Sequence, residues 1–95
     1  MRQYELVLML NPEVNEERVA GVMDRVRRVV GDHQGEVTGE DSWGRRRLAY
    51  KIGRHVEANY HLAQIQMEGD GPSTLDGALK LSDDVIRHLL VREGE

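Results

Sequence analysis

Cysteine is absent from all 95 residues, so disulfide staples, a zinc knuckle of thiolate ligands and a thiol nucleophile are excluded. No apolar run approaches the roughly 20 residues that a membrane-spanning helix needs. The N-terminal Met1-Arg2-Gln3-Tyr4-Glu5 interrupts its apolar character with charge, unlike a secretory leader. The chain is therefore expected to be soluble and cytoplasmic. Aromatic residues make up only 4%, so few rings exist to stack on bases, and readout of shape and backbone is expected instead. A general surplus of positive charge is also missing: the formal net charge is -4, and bulk electrostatics would not draw the chain onto a polyanion. One modest core is all that this length supports, and residues 1–95 are expected to form a single domain.

Against that acidic background one basic stretch stands out. Gly44-Arg45-Arg46-Arg47-Leu48-Ala49-Tyr50-Lys51-Ile52 places three adjacent arginines at the start of an alternating run. From Trp43 to His61 the balance is +4, leaving -8 for the remainder. One basic stripe on an acidic body implies a single oriented contact with phosphate or with an acidic partner.

The periodicities predict six elements. Tyr4, Leu6, Leu8 and Leu10 alternate with Glu5, Val7 and Met9, giving a strand with one strongly apolar face and one mixed face; Asn11-Pro12 stops it. Asn15 caps a helix whose first turn carries Glu16 and Glu17. Its valines and Met23 form a stripe that requires a sheet beneath it. Arg25, Arg27 and Arg28 fall toward its C-terminal end, and Gly31 or Gly35 ends it. A second strand runs from Glu36 to about Gly53 with a break at Trp43-Gly44. Arg54 to Ala58 reads as a loop, and Asn59 to Met67 as a third strand of uncertain register, because Tyr60 and Ile65 have opposite parity. Pro72 starts a short second helix carrying Leu75, Ala78 and Leu79, and Val85 to Arg92 closes the chain as a fourth strand. The order β-α-β-β-α-β is the α+β, ferredoxin-like split βαβ arrangement: a four-stranded antiparallel sheet with two helices on one face. The other face is left to a partner or to water.

Catalysis finds no support. Ser42, Ser73 and Ser82 lack a nucleophile-elbow context, no histidine pair has helical ligand spacing, and Asp83-Asp84 has no metal companion. Gly69-Asp70-Gly71 lacks the Lys-Ser/Thr of a phosphate-cradling loop. No enzyme activity, cofactor or metal is expected.

The run Gly44 to Ile52, together with Tyr4-Glu5 and Val85-Ile86-Arg87, resembles the bacterial small-subunit ribosomal protein six family over nearly the whole chain. Gly44, Arg46, Arg47, Leu48, Ala49, Tyr50 and Ile52 fit its signature; Gly53 departs from the last position, and Lys51 stands where many members have proline. The long charged C-terminal tail of some members is not expected here. The resemblance implies a structural component of the small ribosomal subunit. Such a protein binds the central domain of the small-subunit rRNA together with the eighteenth small-subunit protein, is located on cytoplasmic ribosomes and is monomeric when isolated. For such a role the charge pattern of this chain suggests RNA contacts at Arg2, Arg45, Arg46, Arg47, Lys51 and Arg54, with RNA or partner contacts among Tyr4, Trp43, Tyr50, His55, Arg87 and Arg92. If the three arginines each neutralised one phosphate, the log-log salt slope would be about -2.7, or roughly a 40-fold loss from 50 to 200 mM salt. That is weak binding, and it calls for a partner with basic surface of its own.

Each of these residues also has an ordinary structural role open to it. The arginines suit a solvated strand edge whose charge discourages sheet pairing. Tyr50 shares parity with Leu48 and Ile52 and reads as half-core, Trp43 as a plug at the break, and His55 and His61 as neutral rings that fill space or donate a hydrogen bond. Arg46, of opposite parity to Arg45 and Arg47, has no direction from sequence alone. The competing function is a ferredoxin-like regulatory or metabolite-binding domain that homodimerises through its open sheet face. A protein-docking module using the basic stripe is a third.

Overall fold

The computed structural model describes residues 1–94, in the order β1 (Arg2–Leu10), α1 (Glu16–Asp32), β2 (Glu36–Ile52), β3 (His55–Met67), α2 (Gly71–Lys80) and β4 (Val85–Glu93). The strands form one sheet in the order β2-β3-β1-β4, every neighbouring pair antiparallel. This is the ferredoxin-like arrangement expected from sequence.

The main core lies where the strongly apolar face of β1 meets the helices. Tyr4, Leu6, Leu8 and Leu10 pack with Ala63, Ile65 and Met67 of β3 beneath Val22, Met23, Val26 and Val30 of α1 and Leu75 and Leu79 of α2. Both helices therefore cover one face. Burying each such Leu, Ile or Met is worth about 1.5–3 kcal/mol, which offsets the modest helix propensity of the valines in α1. Asn15 caps α1 as expected, its side-chain oxygen accepting from the Arg18 N–H at 2.9 Å.

Two boundaries differ from the sequence expectation, the end of α1 and the start of β3. Helix α1 runs through Gly31 to Asp32, with Arg25, Arg27 and Arg28 outside its basic-free last turn. The chain turns out of it through Gln34, at φ +58°. Gly35 serves a close approach instead: a Cβ there would run into the carbonyl of Gln66. Residues 55–58, expected as loop, belong to β3, because Gly53, at φ +58°, permits a tight connection in which Ile52 already pairs with His55.

The parity conflict in β3 dissolves because both faces of the sheet carry apolar residues. Ile65 belongs to the helix-side core, whereas Tyr60 packs against a second cluster of Met9, Leu48 and Ala58, with Val7, Ile52 and Ile86, on the opposite face.

Candidate nucleic-acid interface

Strand β2 is 17 residues long and its pairing with β3 shifts between Ser42 and Gly44. Gly44, at φ +74°, lies in the left-handed region that glycine occupies without strain, and Trp43 is the residue left out of register. Beyond this bulge Arg45 pairs with Asn59, Arg46 with Ala58 and Arg47 with Glu57. Directly opposed residues share a face. Ala58 belongs to the second cluster, so Arg46 lies on the open face of the sheet, whereas Arg45 and Arg47 lie on the side that carries the helices.

The three arginines consequently have three environments. Arg45 donates from Nε to Glu57 Oε1 at 2.7 Å and approaches Glu13 at 3.8 Å; the Glu57 carboxylate raises its pKa. The Arg46 guanidinium carbon sits 4.8 Å from the Trp43 ring centroid. Arg47 is exposed and has no ion pair among the described residues. Lys51 and Arg54, both exposed, bring two more cations to the β2–β3 hairpin tip, where His55 is half-buried.

Pairing between β2 and β3 is irregular again between Arg47 and Ile52. There Leu48 turns into the second cluster, while Tyr50 remains 61% exposed and its hydroxyl accepts from Arg87 of β4. The half-core role expected for Tyr50 is thus corrected: in the irregular segment parity no longer reports its burial. Tyr4 is corrected in the opposite direction. It sits in the helix-side core at 7% exposure, because its parity with Leu6 and Leu8 outweighs its place near the start of the chain, and it is withdrawn as a contact. Arg2 and Arg92 are exposed and pair with Met67 and Tyr4, at the end of the sheet remote from the hairpin tip.

Trp43 is 44% exposed. It stacks toward Tyr60 at 6.5 Å between centroids, and its indole N–H donates to Asp41 at 3.0 Å. Leu89 and Val91 of β4 are also exposed, extending the apolar open face. They were not singled out from sequence, although their alternation with His88 and Leu90 carried the signal.

Two histidine–carboxylate links lie on the helix side: the one at His61 accords with the hydrogen-bonding role expected for that ring, and the one at His88 was not singled out from sequence. His61 Nε2 meets Glu40 Oε1 at 3.0 Å, and Arg27 of α1 bonds the same carboxylate. His88 Nε2 meets Asp76 Oδ1 at 2.7 Å, with Lys80 at 3.1 Å from the other oxygen. A carboxylate only accepts, so each ring carries its proton on Nε2. The His61 bond and then Arg27 hold Glu40 below the ordinary carboxylate range, and the His88 and Lys80 bonds do the same for Asp76. The His88 link joins β4 to α2, whereas the His61 link joins β3 to β2 and Arg27 ties that pair to α1. Among the described residues no cluster of three or more His, Cys, Asp or Glu is arranged to hold a metal, and no helix is long and apolar enough to cross a membrane.

A family model described as Ribosomal protein S6 matches residues 3–92. The chain is 43% identical to the small ribosomal subunit protein bS6 of Desulforamulus reducens over the full length of both. It is 42% identical to that of Leifsonia xyli, covering all of this chain and 74% of the relative. In fold it is similar to the crystal structure of 30S ribosomal protein S6 from Thermotoga maritima, with a TM-score of 0.85 at 24% identity over 97% of this chain and 87% of the other. A chemotaxis kinase CheA P2 domain shares the fold at a TM-score of 0.61 and 12% identity over 97% of this chain and 98% of the other.

Proposed function

We propose, because this chain belongs to the ribosomal protein S6 family, that it acts as a single structural domain on the cytoplasmic ribosome. In this reading it binds the central domain of the small-subunit rRNA together with the eighteenth small-subunit protein and performs no catalysis. The observation that carries the reading is the separation of two surfaces along β2. The hairpin tip presents Arg47, Lys51 and Arg54 to solvent without carboxylate partners among the described residues, whereas the open face presents Trp43, Tyr60, Leu89 and Val91 around a small apolar cluster.

Phosphate recognition falls to the tip, where cations are solvated and able to exchange counterions. Arg45 contributes less, since Glu57 and Glu13 already neutralise it. The open face suits protein: aliphatic residues outnumber aromatic ones there, and exposed apolar surface on a small domain marks an interaction site. Arg2 and Arg92, remote from the tip, would serve a separate RNA contact.

The test is a titration of a central-domain rRNA fragment with this protein, with and without the eighteenth small-subunit protein, at about 50 and 200 mM salt, where each neutralised phosphate contributes about 0.9 to the log-log slope. Tight, salt-sensitive binding that requires the partner supports the reading. Absence of binding with the partner present, combined with a homodimer in sedimentation, would replace it with the metabolite-binding alternative.

A further inference from the structure

We infer that the open sheet face is electrostatically polar and accepts its protein partner in one orientation only, with acidic residues over the Arg46–Arg87 end and basic residues over the Glu5–Glu93 end. This rests on the reading that the open face seats a protein.

The strand registers lay the face out in rows. Glu36, Gln66, Gln3 and Glu93 are mutually paired across the four strands, and the next row holds Gln64, Glu5 and Val91. Then come Asp41, Leu62, Val7 and Leu89, followed by Gly44, Tyr60, Met9 and Arg87, and finally Arg46 beside Ala58. Glu36 and Glu93 occupy the first row and Glu5 the second, Asp41 in the middle row accepts from the Trp43 indole N–H, and the guanidinium groups occupy the last two rows, with apolar residues from the second row onward.

From Gln3 to Met9 is six residue steps along β1, or about 20 Å at strand rise. That exceeds two screening lengths at physiological ionic strength, about 8 Å each, so the two ends act as separate charges. A partner seated backwards would place like charges together at both ends and leave them desolvated against an apolar surface. The groups at the basic end are already held in place. Arg46 rests on the Trp43 ring, and Arg87 donates to the Tyr50 hydroxyl, a neutral acceptor that leaves its charge to be met from outside. At the other end Glu5, Glu36 and Glu93 make no ion pair among the described residues. A segment with an apolar middle, carboxylates at one end and Lys or Arg at the other is the complement of this face.

The absence of cysteine makes orientation directly measurable. Single Glu36→Cys and Arg54→Cys variants carry one nitroxide each, and the eighteenth small-subunit protein serves as the isotope-labelled probe. The label at position 36 is expected to broaden partner resonances around basic residues, and the label at 54 those around acidic ones. In parallel, Arg46→Glu with Arg87→Glu, and Glu5→Lys with Glu93→Lys, should each weaken pairing at least tenfold at low salt and less at high salt, with thermal midpoints confirming that the variants fold. Wild-type protein that fails to bind the probe overturns both the partner reading and this inference. Wild-type binding with opposite broadening, or with neither reversal affecting affinity, overturns the orientation alone. Burial of Trp43 by central-domain RNA without the protein partner would make RNA the occupant and overturn it as well.

Discussion

The guanidinium carbon of Arg46 lies 4.8 Å from the centroid of the Trp43 ring, on the face of β2 opposite to Arg45 and Arg47. The bulge that displaces Trp43 from register brings its ring into reach of a residue three positions later. An exposed cation–π contact of this kind contributes about 0.5–1 kcal/mol. It also removes Arg46 from the row of cations that its neighbours present, so three consecutive arginines lie on two different faces of the sheet.

Single replacements should separate those surfaces. Arg47→Ala is expected to lower the magnitude of the RNA salt slope by about 0.9 and leave Trp43 emission unchanged. Arg46→Ala should shift that emission and weaken protein pairing, with little effect on the slope. Fluorescence and RNA titrations at several salt concentrations check both; equal slope changes for the two variants would contradict the division.

Replacing Arg47, Lys51 and Arg54 together by Ala should reduce the magnitude of the slope by about 2.7 if each meets one duplex phosphate. The thermal midpoint should hold, because none of the three is buried or ion-paired among the described residues. A collapse of the midpoint with RNA affinity intact would make the tip structural.

Acid should loosen the helix–sheet links. Glu40 and Asp76 have pKa values lowered in the fold, chiefly by hydrogen bonds from His61 and His88. A lowered carboxylate pKa means that the unfolded chain takes up the proton first, so the stabilisation is complete above the ordinary carboxylate range and is lost as pH falls through and below it. In urea unfolding followed from pH 7 to pH 3, the Glu40→Gln and Asp76→Asn variants should each show a shallower acid loss than the parent. Parallel curves would refute the assignment.

Two glycines should respond oppositely to alanine. Gly35→Ala forces a methyl against the backbone of Gln66 and is expected to cost about 1–3 kcal/mol. Gly21, inside α1, has nothing within 4 Å of an added Cβ, and Gly21→Ala should stabilise by about 0.5–1 kcal/mol through helix propensity. Thermal or denaturant unfolding decides, and a stabilising Gly35→Ala would show that the approach to Gln66 is looser than described.

Leu6→Ala and Leu89→Ala form a similar contrast between the two faces. Leu6 is fully buried in the helix-side core, and its truncation is expected to cost about 2–5 kcal/mol. Leu89 is 39% exposed, so its truncation should change stability by about 0.5 kcal/mol or less while weakening protein pairing. Unfolding midpoints and a pairing titration on the two variants separate core from interface.

The order of elements, the face of β1 that meets the helices, the Asn15 cap and the bulge at Trp43-Gly44 were all legible from sequence. Each is a local matter of spacing or of one residue's backbone preference. The concentration of cations between Trp43 and His61 was legible for the same reason, since charge is counted without knowing where it points. Direction was another matter. Alternation reports a shared face only along an unbroken strand, and the bulge at Trp43 and the irregular pairing between Arg47 and Ile52 each reset it, so Arg46 gained a face and Tyr50 lost its burial. The sheet order β2-β3-β1-β4 then decided which distant residues became neighbours, bringing Arg87 of the last strand to Tyr50 and setting Glu5 and Glu93 at the opposite end. These groups are brought together by long-range strand pairing across the sheet, and no local pattern in the chain encodes it.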